Sequence, residues 1–179
     1  MLLYDLPGGC SLRLFEEADA EELFALVARN RDHLRPWLPW VDGTRDATST
    51  LEFIRVTRRQ ADANDGIQAA IVEDGAIIGV AGFHRVDWPN RTTSIGYWLS
   101  ADRCGRGTMT EAVGMLVDVA FGPWDLNRVE LQAAVDNHRS RAVAERLGFR
   151  QEGVRRQAER HGDRYLDLVL YAVLASDWR

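Results

Sequence analysis

The chain has 179 residues, 46% hydrophobic and 27% charged, with a net charge of −5. That length suits one domain with a substantial core, read here as residues 1–179. The acidic balance argues against nucleic acid as the main ligand, because phosphate backbones select clustered positive charge, and no apolar run reaches the roughly 20 residues that a membrane span needs.

In chain order, residues 11–15 alternate apolar and polar side chains and predict a first strand. Helical spacing follows over residues 18–30, with Leu23, Phe24, Leu26 and Val27 on one side. Asp19 and Glu22 there have the separation of a capping box. Trp37 and Trp40, with Leu34, Leu38, Pro36 and Pro39, predict an apolar loop, since proline interrupts helix. Helical spacing resumes over 48–63. Strands are expected over 68–73, 76–86 and 92–100, an antiparallel meander punctuated by Glu73-Asp74-Gly75 and Asp87-Trp88-Pro89-Asn90.

After Gly107 the period turns helical, with Met109, Ala112, Val113, Leu116, Val117 and Ala120 on one face. Residues 128–135 read as a strand and 140–147 as a helix ended by Gly148. Phe149 begins another strand, and the nearly all-apolar 165–173 is a buried one. The pattern is α/β (α+β), without repeats or linkers.

Missing residue types narrow the chemistry. All 22 basic residues are arginine, and without lysine there is neither a Walker phosphate loop nor a Schiff base. His33, His84, His138 and His161 lack zinc spacing, Gly-x-Ser-x-Gly is absent, and two cysteines make no disulfide scaffold. No metal is expected. Residues 1–7 lack the basic and apolar regions of a signal peptide, so a cytoplasmic setting is expected.

The most informative segment is Arg103-Cys104-Gly105-Arg106-Gly107-Thr108, between a strand and a helix. Glycines admit positive φ and close approach of the backbone, and a helix start offers unpaired N–H groups with a positive dipole end. Arg103 and Arg106 add charge-assisted bonds, a combination that suits a pyrophosphate. The plain alternative is a tight turn with solvated arginines. A second segment is Asn137-His138-Arg139-Ser140, continuing through Glu145-Arg146-Leu147-Gly148-Phe149.

The first segment resembles motif A of the GNAT superfamily, Gln/Arg-x-x-Gly-x-Gly/Ala, with Cys104 and Met109 departing from the pattern at its first and last positions. Backbone amides do the binding in such a motif, which makes side-chain identity secondary. The second segment is similar to that superfamily's Asn-x-x-Ser…Glu-x-x-Gly-Phe signature. Ile95-Gly96-Tyr97-Trp98-Leu99, Met109-Thr110-Glu111-Ala112, the 34–42 loop and the ending from Tyr165-Leu166-Asp167 to Trp178 look like the ribosomal-protein alanine/serine N-acetyltransferase branch. The resemblance covers nearly the whole chain.

The resemblance implies a GNAT fold: a mixed, mostly antiparallel sheet flanked by helices and splayed open between 92–100 and 128–135. Acetyl-CoA would lie in that V, its pantetheine along Tyr97, Trp98 and Leu99. Its pyrophosphate would rest on the amides of Gly105, Arg106, Gly107, Thr108, Met109 and Thr110, beside Arg103 and Cys104. It further implies Ser140 as general acid, Glu159 as carboxylate base and a homodimer. The Leu99 N–H is the candidate oxyanion donor, and Asn137 is expected to bond backbone or pantetheine.

Plainer roles stand beside these: Ser140 as a helix N-cap, Glu159 as a solvated loop charge among Arg155, Arg156 and Arg160, Trp37 and Trp40 as core instead of acceptor-pocket walls. Cys104 is either inert or able to form a mixed disulfide with coenzyme A. The acceptor read from the resemblance is a protein N-terminal α-amine, whose pKa of about 7.7–8 leaves a neutral fraction at physiological pH. Alternatives are a small amine (aminoglycoside, polyamine or amino acid), a succinyl donor, or a non-catalytic acyl-CoA sensor.

Overall fold

The computed structural model describes residues 2–178; Met1 and Arg179 lie outside the described residues. The strands are β1 (Leu2–Asp5), β2 (Ser11–Leu14), β3 (Ile67–Glu73), β4 (Ala76–Phe83), β5 (Thr92–Leu99), β6 (Arg128–Ala134), β7 (Arg150–His161) and β8 (Arg164–Leu174). They form one eight-stranded sheet in the order β1-β2-β3-β4-β5-β6-β8-β7. Every neighbouring pair is antiparallel except β5 and β6, which run parallel.

The helices are α1 (Ala20–Arg29), α2 (Arg31–Leu34), α3 (Ala47–Asp62), α4 (Thr108–Phe121) and α5 (His138–Arg146). They cover both faces, which β3 serves by alternation: Ala69 and Ile71 join the core under α4, while Ala70 and Val72 pack with Leu23, Leu26 and Ile54 of α1 and α3. The α4 stripe read from the sequence is buried as expected, from Met109 through Ala112, Val113, Leu116, Val117 and Ala120.

Several expectations are corrected. The strand at 11–15 is the second; Leu2–Asp5 precedes it, too short to signal itself. Asp19 does not cap α1 with its side chain. It accepts from the Glu16 N–H at 2.7 Å and pairs with Arg13 at 2.7 Å, closing a capping box with Glu16 around a 3-10 turn. Glu22 instead accepts from the Ile77 N–H at 2.6 Å. The strand expected over 76–86 ends at Phe83.

β7 was foreseen only at its start, Phe149. It runs from Arg150 to His161 at the sheet edge, with most of its residues exposed. An edge strand carrying charge on its open side lacks the apolar alternation that announces a strand. Glu159 therefore stands on a strand and not on a loop.

Candidate active site

The sheet opens where its parallel pairing stops. β5 and β6 bond from Thr92↔Arg128 to Ile95↔Leu131 and no further. Beyond that point residues 96–99 are held by β4 alone and residues 132–134 by β8 alone. Ser94 accepts from the His84 N–H and Ser100 donates to the Ile78 carbonyl, each at 2.8 Å, so even-numbered residues of this stretch direct their backbone groups toward β4. By strand alternation Tyr97 and Leu99 point theirs into the opening. On β6, Arg128 N–H reaches toward β5 and Val135 N–H toward β8, which leaves Gln132 and Ala134 facing the opening. By the same alternation the Trp98 backbone turns to β4, while its side chain lines the cleft.

At the far end of β5 a 3-10 turn (Ala101–Arg103) leads into the glycine loop. Buried Asn30, at the end of α1, anchors this turn: its Nδ2 donates to Ser100 Oγ at 3.0 Å and its Oδ1 accepts from Ala101 N–H at 2.9 Å. Gly105 (φ 83°) and Gly107 (φ 91°) are left-handed, and a Cβ at either would meet nothing within 4 Å, so backbone conformation alone calls for glycine. The first bond of α4 is Glu111 N–H to Gly107 at 3.1 Å. The six amides of Gly105, Arg106, Gly107, Thr108, Met109 and Thr110 have no acceptor among the described residues. They meet the requirement of a diphosphate: unpaired donors at the positive end of a 14-residue helix.

The arginines divide. Arg103 lines the cleft while Nη1 donates to Asp102 at 2.9 Å and Nε lies 2.6 Å from a Glu73 oxygen, so its charge is shared with two carboxylates. Arg106 is exposed, with one bond to the Asp102 carbonyl at 3.1 Å. Arg146 on α5, to which no role was assigned, donates to Thr110 Oγ at 3.2 and 3.1 Å beside the free amides. Arg139 lines the same cleft, two helical turns before it. The seven-residue separation puts both on one face of a helix; that this face meets α4 is a tertiary fact.

Cys104 donates to the Ser100 carbonyl at 3.4 Å, with His33 Nε2 3.8 Å from its sulfur. Burial raises its thiol above the ordinary cysteine value, with Arg139 pulling the other way.

Ser140 is not the N-cap of α5. The helix starts at His138, and Asn137 caps it by accepting from the Ser140 N–H at 3.2 Å. The Ser140 hydroxyl is thereby free for other work and meets Tyr97 across the opening, Oγ to Oη at 3.0 Å. Tyr97 Oη also donates to the Ser140 carbonyl at 2.9 Å, and either hydroxyl can be the donor between the two. Burial pushes the Tyr97 phenol up to about 12.

A cleft of about 1760 Å³ passes through the opening. On the α4 face it is lined by the glycine loop, Tyr97, Asn137 and Ser140; on the α3 face by Phe53, Gln60, Gln68, His84, Trp98 and Glu159. Trp37 and Trp40 also line it and are not core: Trp40 is 41% exposed and lies 6.0 Å from Trp98 between ring centroids. Glu159 Oε1 is 2.5 Å from Nε2 of buried His161. Asp136 and Glu159 are the only carboxylates among the described residues lining the cleft.

Comparison with known proteins agrees with this geometry. Residues 10–150 match the acetyltransferase (GNAT) domain family. YdaF of Bacillus subtilis (strain 168) is 38% identical over 169 residues, covering 94% of this chain and 92% of its own length. The ribosomal-protein-serine acetyltransferase of Escherichia coli (strain K12) is 31% identical over 164 residues, 90% of each chain. The solved structure of RimL, a ribosomal L7/L12 alpha-N-protein acetyltransferase in complex with coenzyme A, superimposes with a TM-score of 0.92 at 26% identity, covering 97% of this chain and 98% of that one. Free amides before α4, an opening between β5 and β6, and a family match over most of its length make this chain a member of the GNAT N-acetyltransferase family.

Proposed function

We propose that this enzyme moves an acetyl group from acetyl-CoA to the α-amine of a protein N-terminus. The observation that carries the reading is the alignment of six unpartnered amides, residues 105–110, with the open edge of β5 at Tyr97 and Leu99. That edge otherwise invites unwanted pairing, and an extended pantetheine with its own amides satisfies it. The relatives support a ribosomal-protein acceptor. The cleft adds a second argument, because a polyamine or aminoglycoside calls for several carboxylates, and among the described residues lining the cleft only Asp136 and Glu159 are carboxylates. A cytoplasmic homodimer belongs to the same reading, and sedimentation checks the dimer.

Acetyl-CoA supplies an acetyl group activated as a thioester. Gly105, Arg106, Gly107, Thr108, Met109 and Thr110 hold its diphosphate through their amides, and Arg139 and Arg146 add positive charge from α5. Leu99 N–H, turned into the opening, donates to the acyl oxygen as it gains charge. Ser140, oriented by Tyr97, supplies the proton that a departing sulfur needs. Glu159 offers the negative charge that draws an ammonium acceptor in, and Trp37 and Trp40 wall its approach.

The test is a panel of N-terminal peptides, polyamines and aminoglycosides incubated with acetyl-CoA and enzyme. Free thiol release and a peptide acetylated at its first residue are expected. Turnover with polyamines or aminoglycosides and none with any peptide would sink the acceptor assignment.

A further inference from the structure

His84 stands just past the end of β4 on the α3 face of the sheet, and no role in the site has so far been given to it. Its ring lies across Gly96: a Cβ built at Gly96 would fall 2.5 Å from His84 Nε2 and 2.7 Å from its Cε1, and the third nearest atom, 3.6 Å away, is also of this ring. Gly96 is the first β5 residue beyond the last β5–β6 pair, Ile95↔Leu131. The imidazole thus sits where the two strands part, on the face opposite α4, and glycine at 96 is what leaves it room.

Its two nitrogens differ in their surroundings. Nδ1 is 2.9 Å from Ser94 Oγ. Nε2 has no hydrogen-bond partner among the described residues and lines the cleft. The cleft's concavity reconciles exposure to water with dense surroundings, and burial lowers the His84 pKa below the ordinary imidazole value. The cleft residues around the ring on this face are neutral: Ser94 and Gly96 on β5, Gln68 on β3 and Gln60 on α3. Arg85 and Asp65 nearby are exposed and pair with each other at 3.6 Å. Across the cleft stands Glu159 on β7, one of its oxygens already bound to His161.

We infer that His84 is a catalytic base of the acetyl transfer, accepting the proton of the attacking amine at Nε2; this rests on the acetyl transfer proposed above. A base at Nε2 requires the ring proton on Nδ1, where Ser94 Oγ accepts it. The ammonium first loses one proton to bulk water, and the neutral amine nitrogen then bonds to the acyl carbon as the carbon–sulfur bond breaks. One proton passes from that nitrogen to His84 Nε2, and one passes from the Ser140 hydroxyl to the sulfur. Water carries the His84 proton back to Ser140, so protons balance and no redox step occurs. An imidazole suits this task better than a carboxylate. The gap from an α-ammonium near pKa 8 is about 1.5 units to an ordinary histidine and about 3.7 to an ordinary glutamate; burial widens the first for His84, and Brønsted behaviour favours the imidazole as long as its gap stays the smaller. Glu159 then serves as the charge that holds the ammonium opposite the ring.

The experiment measures acetylation of the best N-terminal peptide by wild type, His84→Gln, His84→Ala, Gly96→Ala and the His84→Ala/Gly96→Ala double variant, with coenzyme A affinity as the folding control. Loss of a general base costs about 10²–10⁴-fold, so both His84 variants should fall into that range in kcat/KM with coenzyme A affinity unchanged. Added imidazole should restore part of the His84→Ala activity. The part of the acidic limb of the wild-type kcat/KM profile that comes from protonation of Nε2 should vanish in His84→Gln, leaving the single ionisation of the acceptor's own α-ammonium. The Gly96→Ala methyl group should displace the ring and reproduce the loss, yet add nothing in the His84→Ala background, since two changes acting on one group are not additive.

His84 variants with wild-type kcat/KM would overturn the role of His84 while leaving the acetyltransferase reading intact. An equal cost of Gly96→Ala in both backgrounds would also overturn it. A wild type silent on every peptide and small amine would remove both.

Discussion

Replacing Gly107 with alanine probes the anion site where it is most constrained. Gly107 holds φ at 91° in front of α4, and an added methyl group would meet nothing within 4 Å. No clash contributes, so the cost is conformational: about 1–2 kcal/mol for keeping an L-residue left-handed. Against this stands a gain of about 0.4–1 kcal/mol, because alanine restricts the unfolded chain. The ligand-free variant should therefore lose between about 0 and 1.6 kcal/mol, at most about 3–6 °C in Tm for a chain of this size.

Coenzyme A binding should suffer more. If the backbone relieves its strain by rotating toward negative φ, the Gly107 and Thr108 amides turn away from a diphosphate. Each charge-assisted bond lost is worth about 1.5–3 kcal/mol, which is roughly a 10–100-fold rise in Kd. Titration calorimetry with coenzyme A measures this. Pantetheine, which has no diphosphate, provides the control and should bind wild type and variant alike. An unchanged coenzyme A affinity in a folded Gly107→Ala protein would refute the role given to these amides.

Four further variants separate roles that share the site. Ser140→Ala should reduce kcat/KM by about 10²-fold or more with stability little changed, because Asn137 still receives the backbone N–H; Asn137→Ala should cost about 1 kcal/mol in a denaturant titration through loss of the cap. Tyr97 makes the fold alkali-sensitive: the unfolded chain releases the phenolic proton near pH 10 and the folded one near 12, so the native state binds more protons between them and stability falls as pH rises. Tyr97→Phe should flatten that slope in alkaline unfolding. Trp40→Ala should raise the acceptor KM and leave coenzyme A affinity alone, since Trp40 faces Trp98 on the α3 side.

Much of the architecture was legible because it rests on local chemistry. The α4 stripe from Met109 to Ala120 repeats at helical spacing, and the strands ending at Glu73 and Leu99 are bounded by turn residues whose φ preferences act over two or three positions. The glycine loop was legible for the same reason. Its left-handed residues and orphan amides follow from two glycines and a helix start. Elements without such punctuation were hidden. β1 is four residues long, and β7 is an exposed edge strand whose charges mask its period. The Asp19 cap misled because its carboxylate had a stronger claim from Arg13 and the Glu16 amide.

The site divides along the same line. By itself the sequence determined where glycines precede a helix start and which helix follows Asn137 and contains Ser140, because conformational limits and capping are properties of a few adjacent residues. Tertiary structure alone decided that Tyr97 orients Ser140 across a gap of 43 positions, that Arg103 pairs with Glu73 while Arg146 reaches Thr110, and that His84 lies over Gly96 where the strands separate. Pairings of that kind depend on how the β5–β6 opening is set between two helical layers. Side chains distant along the chain acquire a common purpose only when packing brings them to one place.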